Sequence, residues 1–137
     1  MRIFLIWAPV VMLLTFIEAR AQAVDDCQDS SLATSAVTEC LQEAMKKSAE
    51  VLTNTIHDAR QAARKLDQAA NNEQSFQALY VANAAFSVYR DAACRSVGAF
   101  SGPGAGAGDA ISRCYIALNQ ARTQLIRQSA GLDNTTD

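Results

Sequence analysis

Between Val10 and Val97 the chain contains neither glycine nor proline. These two residues are the strongest local punctuators of a backbone. A run this long without them favours helices that continue until something subtler stops them. From about residue 35 to 70, apolar or small residues recur at helical spacing: Val37, Cys40, Leu41, Ala44, Ser48, Val51, Leu52, Ile56, Ala59, Ala63 and Leu66. Lys46, Lys47, Glu50, Asp58, Arg64 and Lys65 fall largely on the other side. The pattern predicts a one-faced amphipathic helix of about ten turns, roughly 50 Å long. Thr34 or Ser35 is expected to cap it, because a hydroxyl there accepts from the free N–H groups of the first turn. The only stop signal is Asn71-Asn72, whose side chains compete locally with the backbone.

A second helix is expected over residues 73–97. Its heart, Leu79 to Cys94, places Leu79, Asn83, Phe86, Arg90 and Cys94 near one line. The opposite side carries Ala82, Ala85, Val88 and Tyr89, and no charge occurs from Gln74 to Tyr89. A helix apolar nearly all round is normally buried, so this one is expected at the centre of the domain with neighbours on both sides. Its alanines, including Ala84, Ala92 and Ala93, allow close helix approach. Residues 98–108, GAFSGPGAGAG, read as a flexible loop without a phosphate-binding signature. Asp109 is the expected cap of a third helix over 109–130, whose face carries Ile111, Cys114, Leu118, Ala121, Leu125 and Ile126. Gly131 is its expected C-cap, and residues 132–137 are expected to be a disordered tail. The expected architecture is an all-α antiparallel three-helix bundle.

The first 23 residues have the layout of an export signal: Arg2, an apolar run from Ile3 to Ile17, and small-x-small cleavage sites after Ala21 and Ala23. The run falls short of the ~20 residues a spanning helix needs. Cleavage would leave one domain, residues 24–137, with no membrane attachment. Without Arg2, Arg20 and Glu18 the count is ten basic against thirteen acidic residues, a net charge of −3. That argues against a general nucleic-acid binder, which carries a basic stripe. The four cysteines are even in number in an exported chain and imply two disulfides. All four lie near one end of the bundle, so their pattern alone does not fix the pairing. The favoured pairs are Cys94–Cys114, closing the Gly-rich loop, and Cys27–Cys40, folding the lead-in back onto the first helix. No C-x-x-C is present, so thiol redox, haem and zinc chemistry lack their signatures.

No catalytic constellation emerges. His57, the single histidine, stands beside Asp58 with no serine or cysteine to activate, which reads as a surface position. Glu39, Glu43 and Glu50 are spaced for a solvated face, and Asp25, Asp26 and Asp29 lack a calcium loop around them. No cofactor or metal is expected. Arg90 reads as an interface residue paired with Glu39 or Glu43 of the first helix rather than as a partner contact. Phe100 in the Gly-rich loop is the best-placed residue for touching a partner, although a connector with Phe100 tucked onto the bundle end is the favoured reading.

Taken together, the four cysteines and the motif Leu79-x-x-x-Asn83-x-x-Phe86-x-x-Tyr89-Arg90-Asp91-x-x-Cys94, with Arg122 and Leu125 after Cys114, resemble the LprI-type lysozyme inhibitor domain. Asn83 and Phe86 stand where glutamine and tryptophan are commoner in that family. The resemblance spans about Cys27 to Arg127. It implies a small exported bacterial protein, periplasmic or secreted, without enzymatic activity and with a lysozyme or other cell-wall lytic enzyme as partner. The alternative is an envelope interaction or structural module with no lysozyme activity.

Overall fold

The computed structural model describes Cys27 and residues 33–132. The expected signal segment 1–23, the acidic residues Asp25, Asp26 and Asp29, and the tail beyond Leu132 lie outside the described residues. Three helices follow one another: α1 (Thr34–Ala70), α2 (Gln74–Phe100) and α3 (Ala105–Ala130). They pack side by side, and among the described residues there is no strand.

The glycine- and proline-free run produces α1 and α2 with a single break. Asn71 adopts the left-handed conformation at φ 52°, and Asn72 N–H reaches back to the Asp67 carbonyl, closing the end of α1. The next helix is capped from the previous one. Asp67 accepts the backbone N–H groups of Ser75 and Phe76, each at 2.9 Å, and so satisfies two of the orphan donors at the start of α2. Burial would push its pKa up, but the Phe76 and Ser75 donors outweigh that and hold the carboxyl below its ordinary value.

Three local expectations change. Neither Thr34 nor Ser35 caps α1; Ala33 occupies that position, its carbonyl accepting from Ala36 and Val37. The Gly-rich stretch is mostly helical: α2 runs through Phe100, α3 begins at Ala105, and only residues 101–104 connect them. Gly102 and Gly104, at φ 77° and 127°, supply the turn that an L side chain would resist. Asp109 therefore lies inside α3, where it accepts the Thr38 hydroxyl of α1 at 3.0 Å instead of capping a helix. Gly131 does end α3, at φ 66°.

The largest correction concerns α2. It is not central, and helices do not cover it on two sides. The line Leu79, Asn83, Phe86, Arg90, Cys94 does turn inward, but Val81, Val88 and Tyr89 face solvent. A three-helix bundle gives each helix neighbours on one side only, so an uncharged outer face stays uncovered. The most enclosed helix is α3. Its buried positions are Ser112, Ile116, Asn119, Thr123 and Ile126, whereas Leu125, from the expected face, is exposed. Val51 and Leu66 of α1 are likewise exposed.

The core has two apolar clusters. Toward the cysteine end, Cys27, Leu41 and Ile116 pack with Val37, Cys40, Ala44 and Met45. Toward the other end, Leu52, Ala59 and Ile126 pack with Ile56, Leu79, Phe86, Ala130 and Leu132. Disulfides Cys27–Cys40 and Cys94–Cys114 staple the first end. Between the second disulfide and the connector, α2 meets α3 so closely that a Cβ added to Gly98 would fall 2.5 Å from Ile111 Cδ1.

Candidate functional site

The two apolar clusters are separated by a polar layer built from one residue or more of each helix. Ser48 of α1 follows Leu41 by two helical turns, and Asn119 of α3 follows Ile116 by three residues. Asn119, almost fully buried, donates from Nδ2 to Ser48 Oγ at 3.1 Å. Its Oδ1 accepts Arg90 Nη1 of α2 at 3.0 Å. A buried amide is tolerated when its groups are matched in this way, and the match fixes the rotation of three helices at one level.

Arg90 then turns back along its own helix. Its Nε and Nη2 both donate to Asp91 Oδ1 at 3.1 Å, and Tyr115 of α3 donates its hydroxyl to the same oxygen at 3.2 Å. The guanidinium lies 5.2 Å from the Tyr115 ring centroid and 5.8 Å from that of Phe86. The expected pairing with Glu39 or Glu43 does not form. Both glutamates are exposed on α1, and the cation is met by its neighbour Asp91 and by α3.

Phe86 receives a second cation. Arg122 of α3 sits 5.6 Å from its centroid and donates from Nη2 and Nε to Asn83 Oδ1 at 2.7 and 3.3 Å. Burial lowers the Arg122 pKa. Asn83 Nδ2, also buried, meets no acceptor among the described residues. The motif residues Asn83, Phe86, Arg90, Asp91 and Arg122 therefore form one contiguous assembly between α2 and α3. An aromatic ring between two guanidinium groups gains from both. Asp91 Oδ1 and the Asn83 and Asn119 Oδ1 atoms are engaged by donors, and no nucleophile stands beside a base; its chemistry is that of a clasp.

Elsewhere the expected site residues separate. His57 is exposed on α1, 2.8 Å from the Gln61 amide of the next turn. Among the described residues no cluster of three or more histidine, cysteine or carboxylate side chains is arranged for a metal. No described helix is long and apolar enough to cross a membrane. An open cleft of about 560 Å³ lies at the α1–α2 turn, lined by Arg64, Asp67, Asn71, Asn72 and Phe76 among others. Of its two carboxylates, Asp67 is committed to capping α2 and Glu73 is exposed, and its Arg64 stacks on Phe76 at 4.9 Å.

Phe100 is different. It is the last residue of α2 and is 90% exposed, so it is not tucked onto the bundle end as expected. One and a half turns earlier, Cys94 anchors the helix to Cys114 of α3, which gives this projecting aromatic a rigid base. Exposed Glu39 and Glu43 of α1 lie at the same end of the bundle, where Thr38 joins Asp109.

Sequence reasoning missed Ser48 as a polar partner, and missed Asn119, Tyr115 and Thr123 entirely. Nothing apolar marks them, and their role depends on contacts across helices. The only available signal was the spacing of Asn119 and Thr123 on the same stripe as Ile116 and Ile126.

The fold and this assembly define a small, disulfide-stapled helical domain whose polar residues serve structure and whose Phe100 projects into solvent. A family model described as lysozyme inhibitor LprI matches residues 25–125, and the chain belongs to that family. No curated protein and no solved structure matches it.

Proposed function

We propose that this protein is an exported, non-catalytic inhibitor that binds a lysozyme or related cell-wall lytic enzyme and blocks its cleft. The observation that carries the reading is Phe100: a fully projecting aromatic on a disulfide-anchored helix end, in a chain of the LprI lysozyme inhibitor family. Aromatic residues presented without conformational freedom make efficient anchors in a partner's pocket. Glu39 and Glu43 at the same end favour encounter with a cationic enzyme. The polar assembly of Asn83, Phe86, Arg90, Asp91 and Arg122 keeps α2 and α3 in register beneath this end and does not itself touch the enzyme. Two disulfides suit an oxidising compartment, the periplasm or beyond.

Isothermal titration of oxidised protein into several purified lysozymes tests the reading. Saturable binding near one to one with at least one of them, weakened in Phe100→Ala, is expected. Absence of binding to every lysozyme would favour the second reading, an envelope interaction module without lysozyme activity.

A further inference from the structure

The uncovered face of α2 has an internal symmetry. Around a point between Ala84 and Ala85, the sequence reads Tyr80-Val81 on one side and Val88-Tyr89 on the other. These four side chains are exposed to similar extents, at 57%, 62%, 73% and 60%, and Ala84 and Ala85 between them are exposed as well. In an isologous contact residue i meets residue j of the other copy while j meets i, and here each such pair joins residues of like character. The α2 face therefore matches itself when a second copy is laid across it antiparallel.

We infer that a second copy of this chain covers the outer face of α2, forming a two-fold dimer centred between Ala84 and Ala85. In that arrangement Val81 of each copy lies opposite Val88 of the other, and the small alanines let the helix axes approach at the centre. Tyr80 and Tyr89 of opposite copies flank the seam at the same level. No charge occurs from Gln74 to Tyr89, so the middle of the contact brings no like charges together. The ends are complementary. The same operation sets exposed Arg95 of one copy on the same edge as Glu73 of the other, within about one residue's rise. The two Arg95 side chains stand roughly 30 Å apart, well beyond the screening length.

The size of the contact sets its strength. The face runs the ~40 Å length of α2 and is ~12 Å wide, so about 1,000 Å² is buried in total, at the lower edge of specific interfaces. The dimer is accordingly weak and concentration-dependent. Its two Phe100 ends point away from the seam, roughly 45 Å apart, and remain accessible. The inference stands independently of the inhibitor reading.

Sedimentation velocity on the oxidised mature chain, from about 1 to 500 µM, tests it. The expected result is a reversible monomer–dimer equilibrium in that range. Val88→Glu, at an exposed site, keeps its helical circular dichroism and weakens the dimer at least about tenfold. Arg95→Glu weakens it as well, and adding Glu73→Arg to that variant restores it. A chain that stays monomeric throughout, or a dimer indifferent to Val88→Glu, overturns the inference. So does failure of the Glu73→Arg, Arg95→Glu double variant to recover. A monomer whose lysozyme binding is lost in Val88→Glu would instead assign this face to the enzyme, again overturning the dimer.

Discussion

Arg90 of α2 donates to Asn119 of α3 at 3.0 Å, and the same Asn119 side chain donates to Ser48 of α1 at 3.1 Å. One buried amide thus joins all three helices at the level between the two apolar clusters. Arg90, expected to pair with an acid of α1, is instead the outer link of a polar layer.

Removing the inner link should be costly. Asn119→Ala takes the acceptor from one guanidinium nitrogen and a donor from Ser48 Oγ, which keeps its bond to the Met45 carbonyl, and a loss of about 2–3 kcal/mol is expected. Asn119→Leu, which keeps volume but not polarity, should be no better, since the Arg90 nitrogen still lacks its acceptor. Arg90→Lys should recover little of what Arg90→Ala loses, because an ammonium lacks the planar fork that serves Asn119 and Asp91 together. Urea unfolding of the four variants measures these differences.

Gly98 is held to glycine by Ile111. Alanine is the better helix former by about 1 kcal/mol, but a Cβ here overlaps the Ile111 side chain. Gly98→Val adds more bulk without that propensity gain. It should destabilise by about 1–3 kcal/mol, and Gly98→Val with Ile111→Ala should recover part of the loss. A stable Gly98→Val single variant would show that α2 and α3 are not in contact there.

Each disulfide should contribute roughly 2–4 kcal/mol, mainly by restricting the unfolded chain. Replacing Cys94 and Cys114 together with serine lowers the thermal midpoint, and it also loosens the base under Phe100. Amide exchange should therefore rise at the C-terminal end of α2 before it rises elsewhere.

Asp67 ties stability to acid pH. Its folded pKa is depressed, so its stabilising contribution is complete above the unfolded carboxylate pKa of 3.8 and is lost as pH falls through the folded value. Asp67→Asn removes that dependence and frays the start of α2. The wild type should lose stability between pH 5 and strongly acid solution more steeply than Asp67→Asn, a contrast that thermal melts across that range reveal.

How much of this was legible in the sequence varies by element. The helix count, the Asn71 break and the Gly131 stop follow from local chemistry, and the structure also shows the favoured cysteine pairs. The placement of α2 does not follow from its uncharged character. Apolarity around a helix says that water is a poor neighbour, and not that another helix of the same chain replaces it. The polar layer escaped for the converse reason: Ser48, Asn119 and Thr123 are buried because they find partners across helices or along one, and no spacing rule announces such partners. The five glycines around Phe100 favour a loop, yet Gly98, Gly106 and Gly108 are helical here.

The most direct test of the inhibitor account is a cell-wall turbidity assay with oxidised protein, before and after reduction, against several lysozymes, with Phe100→Ala alongside. The account predicts near-stoichiometric inhibition of at least one lysozyme, lost on reduction and weakened about tenfold or more in a Phe100→Ala protein of unchanged stability. No inhibition at large excess, or full inhibition by Phe100→Ala, would contradict it.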